Sequence, residues 1–187
     1  MEYRTLLTVT ATLNGNVLDI TLDASNDSAI VSQVSSNIDV FDGTMHTEFA
    51  ASAVQSIDAQ GNDLANQSVA LDSAITLSSA LMVSHVTTAT VTGNYTVGSA
   101  NLTADGTLTI APGAIVSSRQ IAAGGDPLTA HSTGDSGDLT FTAPAITVGD
   151  NAELLANADS GFTSGDVALT GTNSVNLTWI LGLANFA

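Results

Sequence analysis

The chain has no cysteine and no lysine, and only three prolines in 187 residues. Without cysteine there is no disulfide framework, no thiolate zinc site and no cysteine nucleophile. The two cations, Arg4 and Arg119, face eighteen carboxylates and leave a net charge of −16. Polyanions are repelled by such a chain, so nucleic-acid binding is excluded as a function class. Met1 to Leu13 carries an acidic Glu2 and lacks the charged n-region and apolar run of a signal peptide. No stretch approaches the roughly 18 apolar residues of a membrane helix, so membrane insertion is not expected. An export signal, if the protein is exported, is expected to lie outside this segment or to be atypical.

What remains is a strand and turn vocabulary. Hydrophobic residues make up 44% of the chain and aromatics only 4%. Ala, Val, Leu and Ile supply the apolar part, while Ser, Thr, Asn, Asp and Gly supply most of the rest. That content is enough to bury a core. The carboxylates sit beside Gly, Asn or Ser, in Asp58 to Asp63, Asp135 to Asp138 and Asp159 to Asp166, a placement that reads as turns.

Short alternating apolar pairs recur along the chain at Val69/Leu71, Ala89/Val91, Leu108/Ile110, Leu139/Phe141 and Val167/Leu169, their first members 20, 19, 31 and 28 positions apart. A second set follows at Ile75/Leu77, Tyr95/Val97, Ile115, Ile146/Val148 and Val175/Leu177, and a third at Leu81/Val83, Leu102, Ile121, Leu154 and Leu181. Three short strands in about 20 residues are what one coil of a right-handed parallel β-solenoid (β-helix) requires. The sequence therefore predicts an all-β solenoid over 67–187, with loops inserted near 122–137 and 156–165. Leu108, Leu139 and Val167 would stack in one column, and Ile115, Ile146 and Val175 in another. Residues 1–66 are looser, with Asn14-Gly15 and Asp42-Gly43 as turn signals. They read as an irregular N-terminal cap or irregular first coils covering the open edge. An immunoglobulin-like sandwich is the competing architecture. It predicts longer strands and a more aromatic core.

The opening Met1-Glu2-Tyr3-Arg4-Thr5-Leu6-Leu7 resembles the LEPR-XLL-type motif near the start of very large bacterial repeat-rich surface proteins, with Met1 for its Leu and Tyr3 for its Pro. Gly137-Asp138-Leu139-Thr140-Phe141-Thr142-Ala143-Pro144-Ala145-Ile146 and Asn151-Ala152-Glu153-Leu154-Leu155-Ala156 are similar to filamentous-haemagglutinin-like and autotransporter-like β-helices. The resemblance implies export, an extracellular or cell-surface location, and a structural or adhesive role. Its partners would be neighbouring repeats of a longer chain and, outside the chain, a polysaccharide or cell-surface ligand. The apolar ending Trp179 to Phe186 fits a coil that expects a neighbour.

Chemistry is sparse. Asp135, Asp138 and Asp166 are the candidates for polysaccharide cleavage on one face, but no lysine stands by to neutralise an acidic sugar. A non-catalytic chain is expected. Calcium is the better candidate ligand, because Asp/Asn turns offer several oxygen donors. Two clusters carry it: Asp23, Asn26 and Asp27, and Asp58, Asn62 and Asp63. Neither has EF-hand or nonapeptide spacing. His46, His85 and His131 lie far apart without a metal-binding spacing, and surface histidines are expected.

Overall fold

A computed structural model describes residues 9–122, 125 and 128–178. The heptapeptide at 1–7 and the apolar ending at 179–186 lie outside these residues.

The N-terminal part is built from hairpins. Strands β1 (Val9–Asn14) and β2 (Val17–Leu22) pair antiparallel through a two-residue turn in which Gly15 takes φ of 61°. Only a residue tolerant of the left-handed region fits there, and glycine is the cheapest. Strand β3 (Ser28–Val34) pairs antiparallel with β4 (Asn37–Phe41), and β4 with β5 (His46–Ala50). The second of these turns is closed by Asp42, whose Oδ1 accepts the amides of Thr44 at 2.7 Å and Met45 at 2.6 Å. An aspartate that bonds its own backbone two and three residues on is the local reason for the reversal.

From here the chain switches to parallel pairing. Strand β6 (Ser56–Gln60) lies beside β2, and β7 (Ser68–Leu71) beside β3. The long β9 (Ala80–Val91) pairs with both: its first half with β6 and its second half with β7. Strands β11 (Ser99–Ile110), β13 (Leu139–Val148) and β15 (Val167–Leu177) then add in parallel, one beside the next. A second, four-stranded parallel sheet joins β8 (Ile75–Thr76), β10 (Asn94–Thr96), β12 (Ile115–Ser117) and β14 (Glu153–Leu155). Both sheets face one apolar core that runs from Leu18 to Ala156. Tyr95 crosses it from β10, fully buried, and its hydroxyl donates to the Val31 carbonyl at 3.4 Å and the Asp72 carbonyl at 3.3 Å. A buried phenol needs such partners.

The all-β class therefore stands, but the parallel β-solenoid with three short strands per coil does not. The principal sheet is a mixed, eleven-stranded one that curls, barrel-like, round the core, and it contains antiparallel pairs at β1–β2, β3–β4 and β4–β5. There are two sheets, not three faces of equal short strands, and β9 and β11 are twelve residues each. The apolar series also changes step. Leu139 lies opposite Ala100 and Val167, whereas Leu108 lies opposite Ile146, which in turn lies opposite Val175. Ile115 pairs with Glu153 in the other sheet. The physical reason is that the pairs at the two ends of one long strand carry the same alternating signature, so spacing alone does not say which end of a strand a pair occupies.

Candidate functional site

Of the two expected calcium clusters, Asp23, Asn26 and Asp27 sit on one loop and Asn62 and Asp63 on a facing one. Asn62 donates through Nδ2 to the Asp23 carbonyl at 3.0 Å, and the Asn26 amide donates to the Ala65 carbonyl at 2.9 Å. Between the loops lies Gln67, fully buried. Its Nε2 donates to the Leu22 and Ala24 carbonyls at 2.7 and 3.1 Å, while its Oε1 accepts the Asn62 and Leu64 amides at 3.0 and 3.3 Å. One side chain thus satisfies four backbone groups. Sequence reasoning missed it, although a glutamine just before an alternating strand was visible.

Asp27 is also fully buried; its Oδ2 accepts the Ala24 amide at 2.8 Å, while Oδ1 has no hydrogen-bond partner among the described residues. Asp58 is elsewhere. It lies on the outward face of β6 opposite Asp19 of β2, in a polar cavity of about 270 Å³ lined also by Thr12, Asn14, Thr21 and Gln60. Burial raises its pKa above the usual carboxylate value, the Gln60 hydrogen bond pulls it back, and the Asp19 charge raises it again. Among the described residues no three carboxylate or histidine side chains converge on a metal-sized site.

Asp63 belongs to a different constellation. It meets His85 at 3.0 Å (Oδ1 to Nδ1), and His85 sits in β9 at φ of 54°, where that strand bulges. Non-glycine residues at positive φ are uncommon, histidine being one of the tolerated types. The loop holding Asp63 is fixed on this bulge by the Gly61 amide donating to the Ser84 carbonyl and the Asp63 amide donating to the His85 carbonyl. Gly61 has no room for a side chain, because a Cβ there would collide with the His85 carbonyl oxygen. Asp105, on the neighbouring bulge of β11, completes the cluster: burial raises its pKa, the charge of Asp63 and a hydrogen bond to it raise it further, and His85 opposes.

All three histidines are paired in this way. His46 meets Asp39 at 2.7 Å and stacks on Phe41 with ring centroids 4.4 Å apart, and His131 meets Asp159 at 3.2 Å. None converges with another, and all remain exposed. Asp159 also takes the buried Arg119 at 3.4 Å and the Ser132 amide at 2.6 Å. The Ser132 amide chiefly lowers its pKa, with His131 and Arg119 adding to the effect. This knot ties the 118–137 segment to the 156–166 segment.

Asp138 and Asp166 are adjacent, as expected, but the Asp138 Oδ1 accepts the Asp166 amide at 2.9 Å, and the Asp135 Oδ1 accepts the Thr163 amide at 2.7 Å. No protein-family model matches this chain, and no curated protein or solved structure matches it. What its side chains can do must therefore be read from their own geometry.

Proposed function

We propose that the chain is a non-catalytic scaffold, a structural or adhesive segment of a large exported bacterial surface protein. The observation that carries this reading is how its carboxylates are employed. Asp27, Asp42, Asp72, Asp135, Asp138 and Asp159 each accept a hydrogen bond from a backbone amide at a turn. A carboxylate that accepts a backbone amide at a turn is fixed in place, and that use serves chain reversal. The resemblance of Met1 to Leu7 to the LEPR-XLL-type opening supports the same reading. Location at the cell surface follows from it.

The test is a screen of the purified chain against acidic and neutral polysaccharides for binding and for product release. Binding without turnover supports an adhesive segment. Turnover abolished by Asp138→Asn or Asp166→Asn refutes the scaffold in favour of a polysaccharide-active enzyme.

A second reading, a calcium-stabilised module, is favoured by one observation: the buried Asp27 Oδ1, which has no hydrogen-bond partner among the described residues, on loops rich in Asp and Asn. A ligand that binds only the folded form raises stability by mass action. A melting temperature unchanged between EDTA and millimolar calcium removes this reading.

A further inference from the structure

The outward face of the long parallel strands carries an ordered array of small side chains. Along one row Ser28, Ser68, Thr88, Thr107, Ala145 and Ser174 are successive cross-strand partners. The next row runs Ala70, Thr90, Thr109, Thr147 and Asn176. Hydroxyls touch along the first row, Ser68 to Ser28 at 3.0 Å and Thr107 to Thr88 at 3.4 Å. The array holds no charged residue, in a chain of net charge −16. On these strands the charged side chains appear only at the bulges, as His85 and Asp105.

We propose that this threonine array binds the surface of crystalline ice. The inference rests on the scaffold reading and names its ligand. Strand spacing of about 4.8 Å and a same-face spacing of about 6.6 Å make a two-dimensional lattice of hydroxyl and methyl groups. Threonine, at Thr88, Thr90, Thr107, Thr109 and Thr147 in the middle of the array, is stiff at χ1, so that part of the lattice is held before any ligand arrives. A lone exposed hydroxyl gains almost nothing by exchanging liquid water for another partner, which argues against small soluble ligands. A fixed lattice facing a fixed lattice adds its small contacts together. Charges would impose their own hydration, and the array has none. It also offers no aromatic ring, the usual platform for a sugar ring, which sets ice ahead of a neutral polysaccharide.

The experiment measures thermal hysteresis and inhibition of ice recrystallisation by the whole chain, with Thr109→Lys and Thr147→Lys placed inside the array and Thr10→Lys on β1, away from the long parallel strands. Circular dichroism checks that each variant is folded. The expected result is ice-growth inhibition by the wild-type chain and by Thr10→Lys, with the concentration for equal effect raised about tenfold or more in either array variant. No inhibition by the folded wild-type chain overturns the proposal, as does inhibition that survives both array substitutions or is lost with Thr10→Lys. Adsorption to insoluble cellulose or chitin without any effect on ice also overturns it, yet leaves the adhesive scaffold standing.

Discussion

The hairpin region up to β5 and the long parallel strands β9, β11, β13 and β15 bury the same kind of core but dress their outer faces differently. Outward positions of the hairpins carry Asp19, His46 and Glu48, and their short turns are closed locally, by Gly15 or by Asp42. Outward positions of the parallel strands carry mainly threonine, serine, asparagine and alanine, with Met82 and Pro144, and charge is displaced to the bulges and loops. The difference teaches where each region gets its register. A hairpin is set by its turn chemistry, whereas parallel neighbours, separated by long connections, are set by side chains that match from strand to strand.

The largest effects should come from the core that both regions share. Phe141→Ala on β13 removes a fully buried ring and should cost about 3–5 kcal/mol in urea unfolding. Leu18→Ala on β2 should cost about 2–5 kcal/mol. If the two substitutions unfold different fractions of the chain, the single core is refuted.

Next comes the junction between the regions. Gln67→Ala leaves the Asn62 and Leu64 amides and the Leu22 and Ala24 carbonyls without the clamp. A loss of about 3 kcal/mol is expected, given the cost of buried groups left unpaired. Hydrogen exchange should accelerate first in 61–67; exchange unchanged there would show that the clamp is dispensable.

A smaller and opposite effect is expected at Asp58. Its folded pKa is raised, so the folded chain holds that proton more tightly than the unfolded chain, and stability rises as pH falls towards and through the raised value. Asp58→Asn should therefore stabilise the chain at pH 7 by about 0.5 kcal/mol, the scale of a surface change. The gain should shrink on acidification towards pH 4, and a gain independent of pH would assign it to another cause.

Asp159 behaves in the reverse sense and should give the smallest change. Its folded pKa is lowered, so its contribution is present above the ordinary value of 3.8 and is lost as pH falls through the depressed one. Asp159→Asn should loosen 128–137 and 156–166 at neutral pH while leaving the strands protected. The difference from the parent chain should vanish in strong acid, as hydrogen exchange can show.

Alternation of apolar residues determined by itself that the chain is all-β, since period-two patterning in Val, Leu, Ile and Thr has no other folded outlet. Local residue types likewise marked Asn14-Gly15 and Asp42-Gly43 as turns, because turn geometry is a property of adjacent residues. Other things were decided only by tertiary structure. The pairing of Leu139 with Ala100 and not with Leu108, the two-sheet arrangement and the antiparallel hairpins within a mixed sheet depend on which strand edges meet. So do the meeting of Asp63 with His85 and Asp105, and the clamp of Gln67 on four backbone groups. Those partners lie up to 45 residues apart. Local pattern fixes which face of a strand a side chain occupies, but it carries no information about which other strand that face will lie beside.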